Sequence, residues 1–325
     1  MSAQEASPIR PHEVGFLNML QEAEKQVMDE MLRAYAQALA DIREQLAILK
    51  ARQDQTTSVF QRIQYKIAQE RQLAAALNAF REGEIATIKQ YKTWMYTNGF
   101  ISISQSLNVD GLPLIIPLDP NVMAAALANQ VRGLNFADRT GVQMDQFHRD
   151  VSRAINAGLA RNASFLEIAR EITRVAESRF NWAFRIALTE GNRVLNQAKF
   201  HAMQEAVARG ADIMKQWHSA RMPTTRDTHL DMHNQIRELD EPFENKNGAT
   251  AMHPLGFGIA EEDINCHCTL LQRARWALED AEVLDDLREV PGMEQLMNTQ
   301  DPKVYAELYE ATADDVVRAQ DDILF

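Results

Sequence analysis

The chain has 325 residues, 46 % hydrophobic and 25 % charged, with 13 Gly, 10 Pro and two Cys. These proportions suit an ordinary folded chain of two or three domains, and they exclude both a wholly disordered chain and a small disulfide scaffold. The net charge of −12 is unevenly placed: 279–325 holds 14 acidic and 3 basic residues, leaving 32 and 31 in the remainder, so the acidity is a property of the tail and a basic face on the body stays open.

Met28, Leu32, Tyr35, Leu39, Ile42, Leu46 and Leu49 are spaced alternately four and three apart, which predicts a coiled-coil-like helix. The polar stretch Lys50–Thr57 then ends in residues suited to a helix N-cap. A second apolar series, Phe60, Ile63, Ile67, Ala74, Leu77, Phe80, Ile88, Tyr91 and Met95, predicts a partner helix. Two helices of about 35 residues would make a hairpin roughly 50 Å long. That hairpin reads either as part of an internal bundle or as an assembly-contacting arm. Asn98-Gly99 is expected to break the second helix and Phe100–Pro117 to cross as strand or loop, placing a domain boundary there.

Asp119-Pro120 predicts a helix start, with Pro at the first helical position and the helix running on to Val131. Helices follow over Thr140–Ala160 and Ser164–Glu177, the latter opened by a Ser164/Glu167 capping box. Another runs over Ser178–Arg209 and is stopped by Gly210. Beyond Gly210 the texture changes to a strand over Asp212–Ala220, a polar turn over Arg221–Thr228 and short extended pieces up to Glu262–Leu271. The fold class expected is mainly α with a small α+β domain. The division expected is a helical hairpin arm at 1–97, a helical body at 98–186, the α+β domain at 187–275 and an acidic helical tail at 276–325. No run of 18 apolar residues is present, so no membrane partner is expected. The first 16 residues lack the basic and apolar regions of a signal peptide, which makes a reducing cytoplasm the expected site of synthesis.

Six of the eight His and both Cys fall between His201 and Cys268. His229 and His233, four apart, would share one face of a helix, and Cys266 and Cys268 would share one side of a strand. Thiolate and imidazole together suit zinc rather than magnesium or calcium. These two His and two Cys could fill a tetrahedral structural zinc site, and a zinc-dependent hydrolase or nuclease is another reading. The plainer alternative makes the thiols buried small hydrophobes and the histidines ordinary hydrogen-bonding groups. His229-Leu-Asp-Met-His233 lacks the Glu of a metalloprotease helix, and phosphate-loop, dinucleotide-binding, nucleophile-elbow and zinc-deaminase patterns are missing.

Five ordered motifs carry a family resemblance. They are the run Ala187–Ala198 with Glu190 inside it, Lys215-Gln216-Trp217, Arg226-Asp227-Thr228-His229, Asp240-Glu241-Pro242-Phe243 and Asn265-Cys266-His267-Cys268. Together, over Ala187–Leu271, they resemble the head morphogenesis domain of the phage Mu F-like minor head proteins. His267 stands where that family usually has Arg, and His233 falls where a small turn is common. The resemblance therefore supports Glu190, Trp217, Arg226, His229, Phe243, Asn265, Cys266 and Cys268 as a network that pins a loop to the small sheet, and it reduces the ligands of a structural zinc to His229, Cys266 and Cys268. It implies a non-enzymatic minor capsid protein of a tailed phage. The expected partners are the portal protein and the major capsid or scaffolding protein, with packaged DNA as a further contact. The expected place is inside the virion head after assembly in the host cytoplasm. Some relatives carry toxin or enzyme domains after this domain; the acidic stretch that follows Leu271 here has 54 residues, 14 of them Asp or Glu, too few for a catalytic domain of that kind.

Overall fold

The computed structural model describes residues 9–53, 59–112, 114–128, 136–161, 163 and 165–275, with Lys303 and Glu307. The expected turn after residue 53, the Ser164 cap and nearly all of the acidic tail lie outside these residues. The protein is mainly helical with a small antiparallel sheet. Its helices are α1 (Pro11–Gln53), α2 (Val59–Val109), α3 (Pro120–Ala128), α4 (Phe136–Ala160) and α5 (Phe165–Ala208), followed by the short α6 (Asp227–Asp231) and α7 (Ala260–Asp263). The strands are β1 (Ile213–His218), β2 (Ile236–Arg237), β3 (Phe243–Glu244), β4 (Thr250–Ala251) and β5 (Thr269–Ala274). The chain forms two compact units. One comprises 24–91 with 130–187, and the other 1–23, 92–129 and 188–325. The divisions expected at 97/98 and 186/187 fall inside α2 and α5.

The unit of 24–91 and 130–187 is helical among its described residues. Its buried stripe on α1 runs Val27, Met31, Tyr35, Ala38, Ile42, whereas Leu32 is 44 % exposed. The expected heptad seam is therefore corrected. A straight helix repeats every 3.6 residues rather than 3.5, and Tyr35 sets the stripe by sitting among three aromatic rings. Phe80 and Phe180 meet it edge-on at 4.5 and 5.4 Å, and Phe147 lies tilted at 6.2 Å. Gly158 lets α4 and α5 close together, since a Cβ there would come within 2.4 Å of the buried Ile168 side chain.

In the other unit α2 does not break at Asn98-Gly99 but continues to Val109. The Asn98 side-chain amide donates to the Trp94 carbonyl one turn back at 2.9 Å. A Cβ on Gly99 would lie 2.8 Å from the Leu195 carbonyl oxygen of α5. This glycine thus marks a close helix crossing, and the β-branched residues after it, Ile101 and Ile103, are buried helix positions. The α3 start is as expected: the Asp119 carboxylate accepts the Asn121 N–H at 2.7 Å, with Pro120 between them.

The expected pair of helices over 164–209 is one helix, α5, of 44 residues. Its end follows the sequence closely. Gly210 has φ +91°, and its N–H and that of Ala211 reach the carbonyls of Val207 and Ala206 at 2.9 and 3.0 Å, satisfying two otherwise orphaned acceptors. β1 follows as the centre of the three-stranded order β2-β1-β5, antiparallel on both sides, with Trp217 opposite Leu270. β3 and β4 form a separate two-stranded pair.

Candidate metal centre

β1 and the Asn265–Cys268 segment bring the site together from both ends of the sheet domain. Trp217, fully buried on β1, lies edge-on to the His229 ring at 5.7 Å, to Phe243 at 5.4 Å and to Phe257 at 5.8 Å. The Phe257 ring also stacks on His229 at 5.7 Å. His229, at the middle of α6, therefore packs against two rings that touch each other, and it is 1 % exposed.

Its Nδ1 lies 3.5 Å from both Cys266 Sγ and Cys268 Sγ. The three donor atoms lie within 4.8 Å of one another, and all three residues are buried. The opposite ring nitrogen, Nε2, lies 2.9 Å from Glu262 Oε2, close but off the line of a well-aligned hydrogen bond. Glu262 is itself held in place: its Oε2 accepts from Thr228 Oγ1 and its Oε1 from Asn245 Nδ2, both at 3.1 Å.

The thiols differ. A hydrogen bond from Cys266, and then the His229 ring, pull the Cys268 thiol down, while that same bond with Cys268 and burial push Cys266 up. One thiol of the pair thus loses its proton far more readily than the other, as expected of two sulfurs sharing a proton in a dry pocket.

The segment before the thiols is shaped by three contacts. Asn265 has φ +62°, a left-handed conformation that Asn tolerates better than most residues, and its N–H donates to Thr189 Oγ1 at 3.1 Å. Arg226 donates from Nη2 to the Ile264 carbonyl at 2.5 Å. The Asp263 carboxylate accepts the N–H groups of Phe257 and Gly258 at 3.1 and 2.7 Å. The expected strand over 262–271 is replaced by helix α7, a turn, and a β5 that starts only at Thr269. Both sulfurs still face one side, because Cys266 and Cys268 lie two apart in the extended lead-in.

His233 does not join His229. α6 ends at Asp231 and Asn234 turns the chain with φ +67°, so the i,i+4 face does not exist. His233 Nδ1 instead accepts the Ser219 N–H at 3.1 Å and its ring faces His218 at 5.1 Å. Burial holds His218, next to His233, and His253 as neutral rings at about 4. Glu190 also lies apart from the thiols; fully buried, it pairs with Arg193 at 3.1 Å and Lys92 at 3.4 Å.

With this geometry established, comparison with known proteins identifies the segment that carries it. The family described as Phage Mu protein F like protein matches residues 145–271. Residues 145–271 are thus similar to that family. The match ends at Leu271, where the motifs end, and begins earlier than they do, at Asp145. Two curated relatives are similar. The NAD(+)–arginine ADP-ribosyltransferase EFV of Enterococcus faecalis (strain ATCC 700802 / V583) is 29 % identical over 263 residues, covering 79 % of this chain and 53 % of that protein. The Minor head protein GP7 of Bacillus phage SPP1 is 24 % identical over 151 residues, covering 46 % of this chain and 49 % of that protein. The chain thus spans about half the length of the curated relatives it matches. No solved structure matches it.

Sequence reasoning missed several residues that hold the Mu F-like region together. Asn196 of α5 pairs with β5 as a strand would: its Nδ2 donates to the Cys268 carbonyl at 3.1 Å and its Oδ1 accepts the Leu270 N–H at 2.7 Å. Lys199, fully buried, donates to Thr269 Oγ1 at 3.0 Å and to the Leu270 carbonyl at 3.2 Å, and burial lowers its ammonium to about 7. Lys215 donates to the carbonyls of Leu239 and Met252. A polar residue at every third or fourth position of an otherwise apolar helix, as in Asn192, Asn196 and Lys199, is the signal that could have found two of them.

Proposed function

We propose that this protein is a non-enzymatic minor head component of a tailed phage. In this reading it associates with the portal protein and with major capsid or scaffolding subunits while the procapsid assembles, and it stays inside the head, where packaged DNA is a further neighbour. The observation that carries the reading is the Mu F-like match over residues 145–271, together with a relative named as a minor head protein. The two long helices α1 and α2 support an arm that bridges partners, in the form of a helical hairpin. Among the described residues no helix is long and apolar enough to cross a membrane, in keeping with partners that are proteins.

Cross-linking mass spectrometry on procapsids formed with co-expressed portal and capsid protein tests this reading. Links from Lys25, Lys50, Lys66 or Lys89 to portal are expected, and deletion of residues 12–95 is expected to abolish co-purification with portal. A chain that is absent from particles, or present without portal links, defeats the proposal.

The similarity to the Enterococcus ADP-ribosyltransferase supplies a second, enzymatic reading. It predicts NAD+ consumption and labelling of arginine-containing acceptors by the purified chain. The burial of the His/Cys group, with His229, Cys266 and Cys268 1, 2 and 3 % exposed, counts against a different enzymatic reading, a zinc-dependent hydrolase or nuclease acting from that cluster.

A further inference from the structure

We infer that His229 Nδ1, Cys266 Sγ and Cys268 Sγ hold a zinc ion that staples α6 to the segment entering β5, with Glu262 fixing the His229 ring from the opposite nitrogen. The distances carry the argument. A tetrahedral zinc with bonds of about 2.3 Å to sulfur and 2.0–2.1 Å to nitrogen places those two atoms about 3.5 Å apart. Both Nδ1–Sγ separations are 3.5 Å. The donor chemistry is the one zinc prefers, two thiolates and an imidazole.

The surroundings make the same assignment independently. A metal-bound imidazole usually turns its other nitrogen to a carboxylate or carbonyl, which places the proton there and leaves the ligating nitrogen bare. Glu262 Oε2 occupies that position beside Nε2, and its oxygens are anchored by Thr228 and Asn245. Zinc also accounts for the sequence distance bridged. α6 is five residues long and has no side-chain cap, so an ion joining it to residues 266 and 268 would add to the ties that Arg226 and Thr228 make to Ile264 and Glu262.

Full-length protein purified without chelator is expected to carry one zinc per chain by elemental analysis. X-ray absorption is expected to find two sulfur ligands at about 2.3 Å and the His229 nitrogen at about 2.0–2.1 Å. Cobalt in place of zinc should give the near-ultraviolet thiolate charge-transfer band together with tetrahedral d–d bands. Cys268→Ser and His229→Ala should lose the metal.

Because removing a buried ligand can also unfold the chain, Glu262→Gln serves as the second variant. Its amide oxygen can still accept from Asn245, but its NH2 group then faces Nε2 and favours the tautomer protonated on Nδ1. Zinc affinity should fall 10- to 100-fold with helicity unchanged. Wild-type protein that is metal-free with two titratable thiols, or that carries a Cys266–Cys268 disulfide, overturns the site. Wild-type zinc affinity in Glu262→Gln overturns the role given to Glu262. None of these readouts depends on whether the chain reaches a phage head.

Discussion

Glu13 and Glu84, one in each unit, are both buried and behave in opposite ways. Burial pushes the Glu13 carboxyl up, but Arg273 and Arg10 outweigh it and hold the group down at about 2. Glu13 pairs with both guanidiniums, Arg10 pairs in turn with Asp110, and Arg10 donates to the Gln272 carbonyl at 3.0 Å. Among the described residues Glu84 has no such cation. Burial pushes its carboxyl up to about 7, opposed by a single hydrogen bond from Tyr35 Oη at 3.3 Å. A buried carboxylate thus takes its protonation state from its partners and not from its depth. The unit that contains the sheet is tied together by charge, and the helical unit by rings around a neutral or nearly neutral acid.

The largest test of this contrast is Glu13→Gln, which leaves Arg273 buried without its counter-charge. A loss of about 3–5 kcal/mol at pH 7 is expected by chemical denaturation. Because Glu13 is depressed in the folded state, its contribution is complete above pH 4.5 and disappears as pH falls towards 2. A Glu13→Gln loss that is the same at pH 3 and pH 7 would break the contrast.

Glu84→Gln should act in the other direction. A raised carboxyl favours the folded state at low pH and costs stability as pH rises from 4.5 through 7. Replacing it with a neutral isostere should therefore raise stability at pH 8.5 by on the order of 3 kcal/mol and change little at pH 4. Thermal melts at the two pH values check this. The smallest effect belongs to Tyr35→Phe, which removes the one hydrogen bond that lowers Glu84. About 1 kcal/mol should be lost at neutral pH, and the carboxyl signal followed by NMR should titrate higher than in wild type.

How much was legible in the sequence varies with the range of the interactions. The Asp119-Pro120 start, the Gly210 stop and β1 around Trp217 were readable because each rests on a residue's own backbone preference or on neighbours within a turn. Asn98-Gly99 was read as a break on the same local grounds. It is instead a helix crossing, because Leu195, almost a hundred residues on, needs the space a side chain would fill. The heptad on α1 misplaced its seam because Phe80, Phe147 and Phe180 decide which side of Tyr35 is buried. At the site, Trp217, His229, Phe243, Cys266 and Cys268 were all named from motifs and do meet, Arg226 and Asn265 shape the loop beside them, and Glu190 lies elsewhere. His233 was paired with His229 by spacing alone and lost that pairing when α6 ended early. Glu262 carries no signal in the sequence, since nothing in Glu261-Glu262-Asp263 distinguishes the two acids that turn inward, Glu262 and Asp263, from Glu261.

By itself the sequence determined the helical character, the Mu F-like motifs and the residue types able to hold a soft metal, because propensity, capping and ligand chemistry are properties of residues and their near neighbours. Only the tertiary structure decided which glycine is a crossing, which histidine reaches the thiols and which carboxylate stands behind it. Those outcomes depend on atoms brought together from up to 260 residues apart, as Glu13 and Arg273 are, and on the burial that gives each pairing its strength.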